Sequence, residues 1–530
     1  MLLGVRLKDG QANRASIRDA VWSLGGNVFL NALSFPVSYI NAWILGPNLL
    51  GALKLIQTVT GYASQCDFGL TKAYQRETPI LVGNQNPGAV ARIRNVVFTM
   101  SLLSTSIVAA GLVAAYLAGW RLGGAVEGIA TLGVVVALIL VDRIGSFCGR
   151  YMSAEGHFVR QTQARMVVGI LQPVLTVPLV LLYQLEGVLL GGIVSTIVYV
   201  GIIVKSTNLR VSFSVDLNET RRLLKAGLSL FWLSFNNKVF WSIEIVMLPI
   251  LLGMHEVGIF GFALGAIRLA RTFPQSLNNI LFRNIALDRG VSMGEGGTDY
   301  LRRFARDSLP GYSLLTAWSL GCVCFFNMPL LEYYLTDFST SWELIVIMAA
   351  GMMFYPLLII FSYSLNMLDR FKDLIGINIA ITIANVLLDW FLIVHFDVAG
   401  AAIGAALSIA ATGIAYALLV SRCIYPENSL GAFVAILLKF LTIAVVCVCG
   451  IAVLSAPLGN LEKGPMFDLE TLSEIGRLIL AFAAYTALCI CIHAIVFRKE
   501  RFGSRLKGIA TAAGVALKEK YESRRMPNPI

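Results

Sequence analysis

The apolar residues of this chain fall into long runs that are separated by short polar stretches. Most runs are long enough to cross the hydrocarbon of a bilayer as an α-helix, which takes about 20 residues. The pattern therefore predicts an all-α polytopic membrane protein with about fourteen transmembrane helices. These helices are predicted at residues 20–45, 48–70, 95–120, 124–148, 166–184, 187–204, 227–253, 257–282, 308–331, 342–367, 374–396, 398–421, 433–455 and 476–497.

The composition supports a membrane protein and excludes a soluble globular one. Of the 530 residues, 57% are hydrophobic and only 14% are charged, a balance outside the range of soluble domains. The first apolar run, residues 19–45, is far longer than the core of a cleavable signal peptide. It is therefore predicted to be the first membrane span.

The distribution of positive charge defines the predicted topology. Lys and Arg concentrate in alternate loops and in the C-terminal tail, and cytoplasmic loops of membrane proteins carry this excess. An even number of helices then places both termini in the cytoplasm, and we predict a multi-pass membrane protein. The formal net charge of +11 is expected to meet anionic membrane lipids, and nucleic acid is not an expected partner.

Two groups of residues recur at nearly the same spacing and indicate an internal repeat. Leu45, Gly46 and Gly51 recur as Leu252, Gly253 and Gly258, and Gly187, Gly191 and Ser195 recur as Gly400, Gly404 and Ser408. Six helices per unit keep both copies in one orientation, which gives parallel repeats with the substrate between them. The predicted division is a cytoplasmic N-terminus (1–19), an N-lobe of six helices (20–204), a cytoplasmic linker (205–226), a C-lobe of six helices (227–421), two additional C-terminal helices (433–497) and a basic cytoplasmic tail (498–530).

Four basic residues inside predicted membrane helices are the candidate substrate ligands: Lys54, Lys238, Arg268 and Arg271. A charge near the bilayer centre costs roughly 3 kcal/mol even on the gentlest scales, so these residues are expected to face a wet or paired interior. Arg and Lys both suit a phosphorylated headgroup, which predicts a cationic pocket. Two alternatives stay open: acids such as Glu244 neutralise the bases within the helix bundle, or Lys54 reaches the membrane interface instead.

Glu244 and Asp389 are the candidate residues for ion coupling, with H⁺ or Na⁺ as the ion. Carboxyl groups inside membrane helices are functional candidates by default, although Glu244 could equally pair with a basic residue of the pocket. Asp142 and Arg143 are interpreted as a structural or interfacial pair, and Asp67 as a residue that makes a capping or loop contact.

The sequence contains no pattern that is typical of a catalytic or metal site. Phosphate loops, zinc signatures and dinucleotide fingerprints are missing, and the glycine-rich stretch 294–297 follows no predicted strand. The four histidines are scattered over distant segments. We therefore predict no catalytic residues, no metal site, no cofactor and no enzyme activity.

Several glycine-containing motifs resemble those of the Wzx-type oligosaccharide flippases, whose superfamily also contains the multidrug and toxin (MATE) exporters and the lipid II flippases. The motifs are residues 44–47 (ILGP), 67–70 (DFGL), 76–77 (RE), 252–253 (LG) and 400–406 (GAAIGAA). The resemblance covers helices 1 to 12 and implies two six-helix lobes around a central cavity lined by helices 1, 2, 7 and 8, with transport by alternating access. Fourteen helices are similar to the lipid II flippase pattern, from which this chain departs because its first helix lacks an arginine.

The leading hypothesis is a flippase that moves a polyprenyl-pyrophosphate-linked oligosaccharide across the inner membrane for synthesis of a surface polysaccharide, such as lipopolysaccharide or exopolysaccharide. The expected partners are this lipid-linked substrate, a polysaccharide polymerase and glycosyltransferases. The alternatives are a cation-coupled multidrug exporter, a lipid II flippase and, from a different class, a membrane glycosyltransferase or polymerase. A multidrug exporter would need an acidic cavity, whereas helix 1 offers Asn27, Asn31 and Asn41 but no internal carboxylate.

Overall fold

The computed structural model describes residues 12–120, 124–126, 128–276, 278, 281, 285, 299–368, 370–424, 428–455 and 469–497. Within these residues the secondary structure consists of helices joined by short connections and contains no β-strand. Nine helices in this part are long and apolar enough to cross a membrane. The prediction of an all-α, multi-pass membrane protein is confirmed. The predicted basic tail, 498–530, lies outside the described residues.

The helices are numbered here in chain order. They are α1 (Ala12–Ala63), α2 (Leu70–Gly83), α3 (Pro87–Leu117), α4 (Ile129–Ala154), α5 (Phe158–Thr207), α6 (Leu217–Phe240), α7 (Ile243–Leu251), α8 (Met254–Gln275), α9 (Asp299–Tyr333), α10 (Ser341–Met352), α11 (Tyr355–Met367), α12 (Phe371–Ile424), α13 (Ser429–Ser455) and α14 (Leu469–Val496). A short 3₁₀ turn, Thr336–Phe338, joins α9 to α10.

Three of these helices, α1, α5 and α12, fold back on themselves as helical hairpins. The non-helical positions are Gly46 in α1, Gln184 in α5 and Phe396–Asp397 in α12. A Cβ added at Gly187 would lie 2.8 Å from the Val180 nitrogen, although seven residues of straight helix span about 10 Å. The predicted boundaries between neighbouring helices at 45–48, 184–187 and 396–398 coincide with these reversals.

Two of the predicted membrane helices are each divided into two. The predicted helix 227–253 breaks at Trp241–Ser242, between α6 and α7, where the Ser242 hydroxyl donates to the Lys238 carbonyl oxygen at 2.7 Å. The predicted helix 342–367 breaks between α10 and α11, where Pro356 has no N–H to continue the ladder. Each of these predicted membrane helices is thus interrupted by a short turn, and residues 341–367 still form one candidate membrane span, close to the predicted 342–367.

The repeated glycines occupy matching positions between α1 and α8. A Cβ at Gly51 would overlap with the Met254 carbonyl and lie 3.0 Å from the Gly258 nitrogen, and a Cβ at Gly258 would overlap with the Pro47 carbonyl. Only glycine lets the two backbones approach this closely. The contact is reciprocal: Gly51 faces Met254 and Gly258 faces Pro47. Gly51 and Gly258 are equivalent positions of the repeat, and so are Pro47 and Met254. The exact division into two lobes stays a prediction.

The two C-terminal helices pack on the second half of the chain. The ring of Tyr485 in α14 lies on Gly321 of α9, and its hydroxyl donates to the Ala317 carbonyl oxygen at 2.9 Å. The thiols of Cys447 in α13 and Cys489 in α14 are hydrogen-bonded at 3.8 Å and form no disulfide. These contacts fix α13 and α14 against α9.

Candidate functional site

A cavity of about 210 Å³ lies between the two arms of α1 and helix α8. Its lining combines two cations with hydroxyl groups and apolar side chains. The lining residues are Ser38, Tyr39, Leu50, Lys54, Phe262, Gly265, Ala266, Arg268, Leu269 and Thr272. Of the two readings of Lys54 that the sequence leaves open, the structure favours the cavity over the membrane interface.

Two glycines make room for the lysine side chains. Lys54 passes over Gly261 of α8, where a Cβ would lie 2.7 Å from the Lys54 Cγ. Lys238 of α6 passes over Gly61 of α1, where a Cβ would lie 2.7 Å from the Lys238 Cε. Each lysine therefore extends from one half of the chain across a glycine of the other half.

Arg268 is the central cation of the group. Its Nη2 donates to the Trp241 carbonyl oxygen at 3.0 Å, and the residue is exposed and lines the cavity. It is close enough to repel both Lys54 and Lys238. We call Lys54, Lys238 and Arg268 the cation cluster.

Arg271 contacts the ring of Trp241 and is not among the residues that line the cavity. Its guanidinium carbon lies 3.9 Å from the centre of the Trp241 ring, a cation–π geometry. Tyr355, which packs edge-on against the same tryptophan at 6.4 Å, lies near the arginine as well. Both arginines therefore contact Trp241, Arg268 through its backbone carbonyl and Arg271 through its ring, and they are close enough to repel each other.

The cation cluster has no acidic partner in the part of the chain that the structure describes. There, no carboxylate oxygen lies within 4.0 Å of Lys54, Lys238, Arg268 or Arg271. Glu244 affects Arg268 electrostatically but makes no ion pair with it at that distance. Neutralisation by direct pairing with acids therefore does not describe these bases.

The two predicted coupling carboxylates lie on neighbouring helices, α7 and α12. Glu244 is 3% exposed, Asp389 is 0% exposed, and Asn385, one turn before Asp389, is 1% exposed. Both carboxylate oxygens of Asp389 lack a hydrogen-bond partner, while Asn385 accepts a hydrogen bond from Ser408. We call Glu244, Asn385 and Asp389 the carboxylate cluster. Asn385 was missed by sequence reasoning, although its spacing of four from Asp389 places both on one helix face.

A different polar cluster fixes the start of α2. Arg143 pairs with Asp67 at 2.9 Å rather than with its neighbour Asp142, because adjacent residues of a helix point in different directions. Asp67 also accepts hydrogen bonds from the backbone N–H groups of Gly69 and Thr71, each at 3.1 Å, which is a contact of the predicted capping or loop kind. Asp142 instead lies 3.4 Å from the Thr196 hydroxyl.

A second contact between the halves of the chain lies between α2 and α6. Gly69 and Gly227 touch through their backbones, and a Cβ at either would lie 2.8 Å from the carbonyl carbon of the other. Lys72 Nζ donates to the Leu230 carbonyl oxygen at 3.2 Å. Arg222 pairs with Glu77 at 2.7 Å. The second arm of α1 and α2 together form one segment. The two halves of the chain are thus in contact at both ends of this segment.

Comparisons with known proteins place this geometry in a known fold. No protein-family model and no curated protein matches the sequence. A structure of the lipid II flippase MurJ in an inward closed conformation matches with a TM-score of 0.60 and 14% identity, over 90% of this chain and 99% of that one. The chain has the fold of this flippase.

MATE transporters share the same fold. An inward-facing multidrug resistance MATE transporter of the MOP superfamily matches with a TM-score of 0.51 and 14% identity, over 78% of this chain and 94% of that one. A eukaryotic MATE transporter matches with a TM-score of 0.54 and 14% identity, over 79% of this chain and 98% of that one. At such identities the likeness establishes the fold alone, and the matched proteins are transporters rather than enzymes.

Proposed function

We propose that this protein is a flippase that moves a polyprenyl-pyrophosphate-linked oligosaccharide across the bacterial inner membrane. The observation that carries the proposal is the cation cluster, which has no acidic partner within 4.0 Å among the described residues and adjoins a cavity between α1 and α8. Uncompensated cations within a membrane protein are costly. An anionic substrate would supply the missing charge.

The chemistry of the cation cluster suits a pyrophosphate group. The planar guanidinium fork of Arg268 can donate two parallel hydrogen bonds to phosphate oxygens, and Lys54 and Lys238 add mobile point charges. The charged headgroup would pass between the two halves of the chain while the polyprenyl tail stays in lipid. The resemblance to flippases implies that the cavity opens alternately to the two sides of the membrane.

The carboxylate cluster is proposed as the seat of a coupling cation, H⁺ or Na⁺. Asp389 is fully buried and its oxygens have no hydrogen-bond donor, a costly arrangement unless a cation is bound. The carboxylate oxygens of Glu244 and the amide oxygen of Asn385 would complete an oxygen-rich site of the kind that hard cations prefer. Coupling would drive the substrate against its gradient.

The proposed setting is surface polysaccharide synthesis. Glycosyltransferases that build the lipid-linked oligosaccharide on the cytoplasmic side would supply the substrate, and a polysaccharide polymerase would consume it on the other side. The two lobes 20–204 and 227–421, with both termini in the cytoplasm, would form the translocation path.

Binding of farnesyl diphosphate by the purified chain in detergent tests the headgroup proposal. Lys54→Gln, Lys238→Gln and Arg268→Gln each remove a charge-assisted hydrogen bond worth about 1.5–3 kcal/mol, so we expect Kd to rise about 10- to 150-fold in isothermal titration calorimetry. Arg92→Gln is the matched control, because Arg92 is exposed and far along the chain from the cluster. Wild-type affinity in all three cavity variants would contradict the proposal.

Transport assays in proteoliposomes separate the proposal from its alternatives. Translocation of a fluorescent lipid-linked sugar supports an oligosaccharide flippase, whereas preference for a peptide-bearing headgroup supports a lipid II flippase. Efflux of a cationic dye in place of either lipid supports a multidrug exporter. Turnover of the lipid-linked sugar in detergent, where there is no second compartment, would indicate an enzyme.

A further inference from the structure

The helix break at Trp241–Ser242 lies between the cation cluster and the carboxylate cluster. Lys238 is in the last turn of α6, before the break, and Glu244 is in the first turn of α7, after it. A narrow cavity is lined by Trp241 and Glu244 together. One short stretch of chain therefore touches both clusters.

Side chains from two other helices hold this break in place. Arg268 of α8 donates to the Trp241 carbonyl oxygen at 3.0 Å, and Arg271 of the same helix lies over the Trp241 ring. The hydroxyl groups of Tyr62 in α1 and Ser242 are hydrogen-bonded at 3.0 Å. The break is thus fixed through its carbonyl group, its aromatic ring and its serine.

An anionic ligand at Arg268 would be joined to the break through the same guanidinium group. The Trp241 carbonyl ends α6, where the last carbonyl groups have no partner within the helix, and Arg268 supplies one donor. A guanidinium group has five N–H donors, so a phosphate that accepts two parallel hydrogen bonds from the others is bridged by Arg268 to that carbonyl. Movement of Arg268 on binding the phosphate would then be transmitted to the start of α7, which carries Glu244.

We infer that Trp241 is a positioning residue that couples anion binding at Arg268 to cation binding at Glu244 and Asp389. The inference rests on the proposed function and adds the physical link between its two sites. Binding of a pyrophosphate at the cation cluster changes the position of α7 and hence the affinity of the carboxylate cluster for H⁺ or Na⁺. Linkage requires that the cation change the affinity for the pyrophosphate by the same factor.

The coupling factor is measured with the full chain in detergent. Calorimetry gives the Kd of farnesyl diphosphate in NaCl and in choline chloride of equal ionic strength, and then at two pH values in choline chloride. A coupled pair of sites typically differs by about 5- to 150-fold. We expect the Kd to change at least fivefold in one of the two comparisons, and that comparison identifies the ion.

Substitutions at the break test whether Trp241 carries the coupling. Trp241→Ala removes the ring that Arg271 covers, and we expect its coupling factor to fall towards one, whatever its absolute affinity. Trp241→Phe keeps an aromatic ring and should restore most of the factor. Trp232→Ala is the matched control, because Trp232 is an exposed tryptophan of the same helix and should keep the wild-type factor.

Tyr62→Phe is a second variant, for the case in which Trp241→Ala does not fold. It removes only a hydroxyl group and should preserve the fold. It breaks the hydrogen bond to Ser242, so its coupling factor should also decrease. Wild-type factors in Tyr62→Phe and in any folded Trp241→Ala overturn the inference. A wild-type Kd that is independent of both Na⁺ and pH also overturns the inference, and the proposed flippase function would then still stand. Failure of the wild-type protein to bind farnesyl diphosphate would instead refute the proposed function.

Discussion

The close backbone contact between α1 and α8 makes Gly258→Ala a sharp perturbation. The added Cβ would overlap with the Pro47 carbonyl oxygen and lie 2.6 Å from its carbon, whereas carbon atoms in normal contact are about 3.5–4.0 Å apart. The two backbones would have to separate by about 1 Å to accommodate it. Neither partner is a flexible side chain, so the strain cannot be relieved by a change of rotamer.

The expected magnitude follows from the cost of overpacking. An extra carbon in a well-packed interior costs about 1–3 kcal/mol, and we expect this to destabilise the contact relative to states in which α1 and α8 are apart. The population of the separated states should then rise about 5- to 150-fold. Gly51→Ala should act similarly, because its Cβ would overlap with the Met254 carbonyl.

Hydrogen exchange followed by mass spectrometry measures this opening locally. Amides near residues 47–58 and 254–262 should exchange faster in Gly258→Ala by the same factor, because exchange reports the free energy of local opening. Gly265→Ala is the matched control on the same helix, since nothing lies within 4 Å of its added Cβ. Equal exchange in Gly258→Ala and Gly265→Ala would refute the reasoning.

Three further predictions concern stability. Arg143→Ala leaves the buried carboxylate of its pair uncompensated and should destabilise the protein by about 3–5 kcal/mol, seen as a lower Tm in detergent. Arg221→Ala, at an exposed position, should leave the Tm unchanged. Tyr485→Phe removes a buried hydrogen bond to α9 and should cost about 1 kcal/mol by the same measurement; an unchanged Tm would contradict it. The pKa of Asp216, which caps α6, lies below its usual value of 3.8 because Arg92 donates a hydrogen bond to it. The stabilising effect of the Asp216 carboxylate on α6 is therefore complete above pH 3.8 and is lost as the pH falls through the lowered pKa. Hydrogen exchange of the amides at the start of α6 should become faster, relative to the intrinsic rate, over the same pH range.

Much of the fold could be predicted because hydrophobic length determines where membrane helices begin and end. The reversals at Gly46, Gln184 and Asp397 each fall where an apolar run is interrupted. The break at Trp241–Ser242 could not be predicted in the same way, because neither residue interrupts the apolar pattern. It depends on contacts with α1 and α8 that only the tertiary structure brings into place.

The candidate site was accessible to prediction only in part. Charges inside apolar runs identify Lys54, Lys238 and Arg268 as unusual, and membrane energetics explains why. Their contacts depend on side chains and backbone brought in from other helices: Trp241 receives Arg268 at its carbonyl and Arg271 at its ring. The pairing of Arg143 with a distant aspartate could not be predicted from spacing, because the two residues lie on different helices.

The tight reversals at Gly46, Gln184 and Phe396–Asp397 have a practical consequence for work on intact cells. All three lie on the predicted outer side, and the helical pattern continues on each side of the turn. Proteases and inserted epitope tags need a stretch of accessible, non-helical backbone, which these turns do not offer. External cleavage and tagging are expected to succeed instead at residues 118–120, which follow the end of α3 and are exposed.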